Sequence, residues 1–321
     1  AYALERRAAA ELALLTARRL GGYIFAAPES GLNSDGRSNP NLARIMVLAV
    51  FAMGYNIAFG YTGLLSLGHA LFFAAGVYGA ALPVTYWGLS PLPAIALGCL
   101  AGGGLATLVG LLALRTAGVS FMIVTLMFAQ AGYLTLLYFG AITGGDEGLV
   151  MPDATALIPG LSPDSARAVI AFTLFAIALL VSLIVIRSRF GRVMVAMREN
   201  EERSRMLGYN PFTVKLSALV LSGLFAGAAG AGYALLFGYA GASFATIQYS
   251  ILPMLWVLMG GAGTTLGPLL GTAAMFYLVD GAARITTATL LVVGVALVLL
   301  ILFAPKGILG TLRERGARWI P

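Results

Sequence analysis

The chain is 321 residues long, 60% hydrophobic and only 10% charged, with a mean hydropathy of +0.91 and a net charge of +7. Soluble domains run at about 45–50% apolar and about 25% charged, so the composition excludes an ordinary water-soluble fold and points to the bilayer as solvent. The single cysteine, Cys99, excludes an internal disulfide and sits in an apolar run as a small packing residue.

A bilayer-crossing helix needs about 20 mostly apolar residues. Uncharged stretches of that kind occur at roughly 45–62, 64–86, 92–114, 118–140, 168–186, 216–240, 247–262, 265–283 and 287–304. Irregular backbone cannot face lipid, so these stretches are expected to be helices, broken only where protein or water covers the break. An earlier segment, 8–27, contains Arg18 and Arg19, and a central Arg costs about 2.5–3.5 kcal/mol on insertion scales. It is either a further span or a surface helix with Leu4, Leu12 and Leu15 inward.

The basic residues are sorted by loop. Sixteen of the 20 Lys and Arg fall near the N-terminus (Arg6, Arg7, Arg18, Arg19), at Arg115, in the connection 187–215, or near the C-terminus (Lys306, Arg313, Arg315, Arg318). By the positive-inside rule these places are expected in the cytoplasm, which accounts for the charge without nucleic acid. The loop 141–166 carries Asp146, Glu147, Asp153 and Asp164 but no Lys or Arg, and is expected to be periplasmic. Cytoplasmic N- and C-termini then require 8–27 to cross. The expectation is an all-α, polytopic membrane helix bundle of about ten transmembrane helices, forming one domain over 1–321. No cleavable signal peptide is expected.

Small residues four apart recur at Gly98 and Gly102, Gly223 and Gly227, and Gly267 and Gly271. That spacing places both on one helix face and lets a second helix approach closely. Two Gly-rich segments, Gly60 to His69 and Gly260 to Pro268, read as breaks. Interrupted hydrophobic segments in the two halves of a transporter often line its substrate path. Each is equally readable as a tight turn between helices.

The chemistry of an enzyme is not legible. There are two lysines, Lys215 and Lys306, and neither follows a Gly-rich loop, so no Walker A sequence is present. One histidine rules out a paired-His zinc motif, and no metal site or catalytic residue is expected. Asp280 is the one Asp placed well within an apolar stretch. An intramembrane aspartyl protease needs two, and a self-contained ion-coupled transporter usually needs paired carboxylates. Asp280 and Arg284 stand four apart and are expected to pair. Asn56, Ser66, His69, Thr125 and Gln130 either face a path or bridge helices; a neutral histidine bonded to a neighbouring helix is the commoner arrangement.

The connection at 187–211 reads as a short cytoplasmic helix over about 190–208, with Val193, Met194 and Met197 alternating with charges, Gly208 as a stop and Pro211 beyond. It suits docking into a partner's groove or lying on headgroups. Glu202-Arg203-Ser204 with Gly208 has the spacing of the coupling segment of ABC importer permeases, although Arg203 and Ser204 replace alanines. Four other stretches carry a stronger resemblance: Gly60-Tyr-Thr-Gly-Leu-Leu-Ser-Leu-Gly-His69, Phe190 to Glu202 with Leu207-Gly208, Thr143 to Leu149, and Gly260 to Pro268. Ala304-Pro-Lys-Gly-Ile-Leu309 agrees with them. Together, over about 45–312, they resemble the M-type permeases of branched-chain amino acid ABC importers, which are related to urea importer permeases.

The resemblance implies a subunit of a heteromeric importer in the bacterial inner membrane. Its partners would be a second, homologous permease, two ABC ATPase subunits and a periplasmic substrate-binding protein. ATP and Mg would be bound by the ATPases, with no cofactor in this chain. It also implies that Arg198, Glu199, Asn200, Glu201, Glu202 and Gly208 belong to the ATPase-coupling surface. Asn56, Gly63, Ser66, His69, Thr125, Gly261 and Gly263 are the expected path residues. Urea, other amides or other amino acids remain open as substrates.

Overall fold

The computed structural model describes residues 40–151, 163–285, 288–303 and 307–314. The segment 8–27 lies outside the described residues. Each of the nine apolar stretches coincides with a helix. In chain order these are α1 (Pro40–Asn56, continued by a π-helix Ile57–Tyr61), α2 (His69–Trp87), α3 (Pro91–Ala113), α4 (Val119–Tyr138), the short α5 (Gly140–Thr143) and α6 (Pro163–Arg187). Then come α7 (Arg189–Glu199), α8 (Glu201–Met206), α9 (Pro211–Phe237), α10 (Ile247–Gly260), α11 (Gly267–Ile285), α12 (Thr289–Phe303) and α13 (Gly307–Glu314). Six of the described helices are long and apolar enough to cross a membrane: α1 with its π extension, α2, α3, α4, α6 and α9.

The bundle is built around α9, which packs on α1, α2, α3 and α6. Helix α9 and α1 are mostly buried, whereas α4 and α6 are mostly exposed. The outer faces carry large apolar residues such as Leu108, Ile123, Met127, Phe172, Leu180 and Ile184. A wall of that size facing water would be a liability; facing lipid or another membrane subunit, it is the expected surface.

The glycine pairs meet one another. A methyl group built on Gly102 would lie 2.6 Å from both the Gly223 carbonyl oxygen and the Gly227 Cα. One built on Gly98 would lie 2.6 Å from the Gly76 carbonyl and from Ala231 Cβ. So α3, α2 and α9 touch backbone to backbone, as the four-residue spacing implied. Gly267 and Gly271 do the same against Gly260 and Trp256, closing α11 onto α10. Toward the other end of α9, rings from five elements interlock: Phe73 lies 4.8 Å from Phe51, 6.0 Å from Tyr233, 5.9 Å from Phe244 and 5.8 Å from Tyr249.

Two features depart from the expectations. The all-α reading omitted a two-residue antiparallel pair, β1 (Leu149–Val150) with β2 (Tyr239–Ala240), in which Leu149 faces Ala240 and Val150 faces Tyr239. It pins the loop expected at 141–166 to the end of α9. The single helix expected at 190–208 is two helices, because Asn200 is extended (φ −156°, ψ 103°) and its side chain accepts the Arg203 amide to start α8. Finally, the side chain of Arg284 lies outside the described residues, so the expected Asp280–Arg284 pair does too.

Replacing Gly227 by valine places methyl groups against the backbone of α3, where a Cβ would already lie 2.5 Å from the Gly98 carbonyl oxygen and 2.9 Å from the Gly102 Cα, and backbone cannot yield as a flexible side chain can. Overpacking typically costs about 1–3 kcal/mol, and this site belongs at the upper end. A Cβ built on Gly104, which is on α3, meets no atom within 4 Å. Thermal unfolding in detergent should show a large loss for Gly227→Val and almost none for Gly104→Val.

Candidate functional site

The first break begins where α1 passes into its π-helix. From Gly63 to Gly68 the chain is not helical, and α2 restarts at His69. Gly63 takes a left-handed conformation (φ +76°), and a Cβ there would lie 3.1 Å from Arg198 Cγ, so both backbone shape and space call for glycine. The break is held from several helices. Thr125 on α4 accepts the Leu67 amide through its hydroxyl at 3.2 Å and donates to the Met122 carbonyl at 2.9 Å. Ser66 accepts the Gly68 amide at 3.2 Å, and Ser250 on α10 accepts the Ala70 amide at 3.0 Å.

The second break, between α10 and α11, lies directly against the first. Asn56 Nδ2 donates to the Thr264 carbonyl at 2.9 Å, and Asn56 Oδ1 accepts the Gly263 amide at 2.9 Å. One amide side chain thus satisfies a donor and an acceptor of the facing turn. The Tyr61 and Thr265 hydroxyls stand 3.5 Å apart alongside. Gly263 is left-handed (φ +79°), and a Cβ there would lie 3.2 Å from the Gly60 carbonyl and 3.3 Å from Arg198 Nη1.

Arg198, on α7, donates from Nη1 to the Gly60 carbonyl. The expected coupling segment is therefore bonded to the first break at its junction with the second. Gly191, Met194 and Met197 are buried, so the apolar side of α7 is seated on this chain's own bundle rather than presented to a partner. Helix α8 is tied to α9 by the Glu201–Lys215 ion pair at 2.6 Å, with Arg205 3.5 Å from the same carboxylate. Glu199 and Glu202 are exposed, and Gly208 (φ +89°) ends the segment with open space around it. Arg198, expected on the coupling surface, is exposed and at the same time bonded through its guanidinium to the Gly60 carbonyl.

The expected path residues divide in two. Gly63 and Gly263 come together at Arg198, Asn56 bonds to Gly263, and Gly261 lies in the same turn. Ser66, Thr125 and His69 stand further along α2 and α4 and are fully buried. His69 Nε2 is 2.7 Å from the Ser222 hydroxyl, and its ring lies edge-on 4.6 Å from Tyr55 and 5.3 Å from Phe72. That is the helix-bridging arrangement. Among these residues Gly63 alone is exposed. A cleft of about 980 Å³ reaches it, lined by Thr62–Leu65, Phe121 and Met122, and toward α7 and α9 by Arg198, Glu201 and Lys215. Sequence reading missed Ser222 and Ser250, because an isolated hydroxyl in a span carries no signal of its distant partner.

Residues 41–304 match the family described as branched-chain amino acid transport system, permease component. The chain belongs to that family. The permease is 30% identical over 294 residues to the high-affinity branched-chain amino acid transport system permease protein LivM of Salmonella typhimurium, and equally to that of Escherichia coli. The alignments cover 84% of this chain and 69% of each relative. A probable branched-chain amino acid transport permease protein LivM of Methanocaldococcus jannaschii is 30% identical over 153 residues, 46% of this chain and 44% of that one. No solved structure matches.

The permease depends on Asn56 to hold its two breaks together. Asn56→Ala strands the Gly263 amide and the Thr264 carbonyl, each worth about 1–3 kcal/mol when buried and unpaired. A cysteine placed at Thr264 should become reactive to small thiol reagents in the Asn56→Ala background and stay protected with Asn56 in place.

Proposed function

We propose that this permease is the membrane-spanning subunit of an ATP-driven importer that carries branched-chain amino acids. It works beside a second, homologous permease, above two ABC ATPase subunits that bind ATP and Mg, and receives substrate from a periplasmic binding protein. It sits in the bacterial inner membrane with both termini in the cytoplasm. Ten helices cross: the six long ones, α10 to α12, and the segment 8–27.

The observation that carries the reading is the Arg198 bond to the Gly60 carbonyl. Helices α7 and α8 lie between α6 and α9 in the most arginine-rich connection of the chain, and that charge supports a cytoplasmic position. A motor docked there needs a rigid link to the membrane path. Arg198 supplies one, and Asn56 extends it to the second break. When ATP draws the ATPases together, α7 moves with them and the junction of Gly60 and Gly263 shifts. The two breaks then move together, and access to the path changes sides. Substrate identity follows from the named relatives and from a bundle whose interior is apolar. Urea and other amides are the second substrate class, separable by competition for leucine uptake.

Removing Arg198 deletes a hydrogen bond of the charge-assisted kind, worth about 1.5–3 kcal/mol. In cells expressing the whole importer, Arg198→Ala should lower leucine uptake by about tenfold to a hundredfold while the ATPase subunits still copurify. Uptake unchanged in that variant overturns the coupling role. Separately, a cysteine at Glu199 should react with an impermeant maleimide in inside-out vesicles and not in intact spheroplasts. Labelling from outside contradicts the orientation on which the importer reading stands.

A further inference from the structure

The cleft of about 980 Å³ beside the first break is strongly basic. Its lining carries four cations, Arg115, Arg198, Arg205 and Lys215, against one carboxylate, Glu201. Glu201 is already engaged by Lys215 at 2.6 Å and Arg205 at 3.5 Å. Arg198 bonds to a carbonyl, which carries no net charge. Arg115, in the turn between α3 and α4, is exposed, and its side chain has no ion pair or hydrogen bond among the described residues. Like charges gathered on one wall repel each other and attract an anion into the space between them.

Apolar surface continues the cleft in the direction of the bilayer. Val119, at the start of α4, lines the cleft and is exposed, and Ile123 and Met127 follow it at four-residue steps, also exposed. The three share one face of α4 and form a stripe about 12 Å long. On α3, exposed Leu108 and Leu111 lead up to the lining residue Leu114 in the same way. Both helices are long and apolar enough to cross a membrane. The cleft therefore lies at the ends of two spans, with cations in its wall and lipid-compatible surface leading away from it. Basic pockets between spans at the cytoplasmic side are places where anionic head groups bind.

We propose that this cleft is a site for one anionic phospholipid. Its phosphate is held between Arg115 on one side and Arg205 and Lys215 on the other, and an acyl chain lies along the α4 stripe. The volume is at the upper end of the range for small-ligand sites, about 300–1,000 Å³, and has room for a glycerophosphate head group. A soluble phosphate or an acidic peptide would use the cations and leave the stripe unused; a lipid uses both. Glu199, Asn200 and Glu202 are exposed and do not line the cleft, which leaves them to face a motor.

The test is native mass spectrometry of the complete importer, stripped of lipid in detergent and titrated with dioleoylphosphatidylglycerol, dioleoylphosphatidylcholine or inorganic phosphate. Phosphatidylglycerol should bind at least about tenfold more tightly than phosphatidylcholine, and Arg115→Gln should weaken it about tenfold by removing a charge-assisted bond. Arg192→Gln removes an exposed arginine of α7 that does not line the cleft, and should leave binding unchanged. Ala117→Glu, which adds a carboxylate to the lining, serves as the second variant if Arg115→Gln does not assemble. Equal affinity for the two lipids, or an equal loss in Arg192→Gln, overturns the site. Inorganic phosphate that binds as tightly as phosphatidylglycerol and depends on Arg115 makes it a soluble-anion site instead. Unchanged lipid binding with loss of the ATPase subunits in Arg115→Gln overturns the lipid in favour of an acidic segment of the motor.

Discussion

A peptide group that leaves helical geometry inside a bilayer has to find its hydrogen bonds in neighbouring protein or in water. This constraint governs the centre of the molecule. Two helix breaks, more than 200 residues apart in sequence, lie against each other, and Asn56 supplies both a donor and an acceptor to the facing turn. The arrangement is economical because a carboxamide carries both functions on one planar group. An aspartate or leucine at 56 would satisfy one side or neither. The first break then completes itself with hydroxyls from α4 and α10, through Thr125 and Ser250.

Those bonds require the helices to stand close, and glycine sets that distance. Gly98 and Gly102 on α3 meet Gly76 on α2 and Gly223 and Gly227 on α9 with no side chain between the backbones. Lipid gives little hydrophobic drive for helices to associate, so dispersion contacts at such short range carry the packing. The same closeness brings Ser222 on α9 within 2.7 Å of His69 at the start of α2. Packing and polar satisfaction are therefore one problem here: widening the glycine seam would lengthen the hydrogen bonds that hold the restart of α2.

Much of this architecture was legible in the chain. Long uncharged runs fix the helices, because the apolar length needed to cross a bilayer is a physical threshold. The glycine spacing identified the contacting faces on α3, α9 and α11. Both breaks were visible as clusters of glycine. What was not legible was which distant groups meet. Nothing local to Asn56 names Gly263 or Thr264 as its partners, and nothing local to His69 names Ser222. The division of the coupling segment at Asn200 had a readable signal, an asparagine followed by two acidic residues, Glu201 and Glu202, as at a helix start, but the hydrophobic alternation of Val193, Met194 and Met197 outweighed it. The Arg198 bond to the Gly60 carbonyl was hidden for a similar reason: an arginine in a charged loop reads as solvated until a carbonyl at a helix break is found within its reach.

The way α7 and α8 are fastened bears on how a push from below would spread. Helix α7 is seated by Met194 and Met197 and bonded through Arg198 to the break at Gly60. Helix α8 is attached separately, through Glu201 to Lys215 on α9. Asn200 stands between them in extended backbone, at the one point where the segment has no helical stiffness. A displacement applied to α7, which packs on α9 as well, would reach the break at Gly60 directly, while Asn200 leaves α8 its own attachment to α9. Local change at the breaks against a fixed core is what alternating access requires.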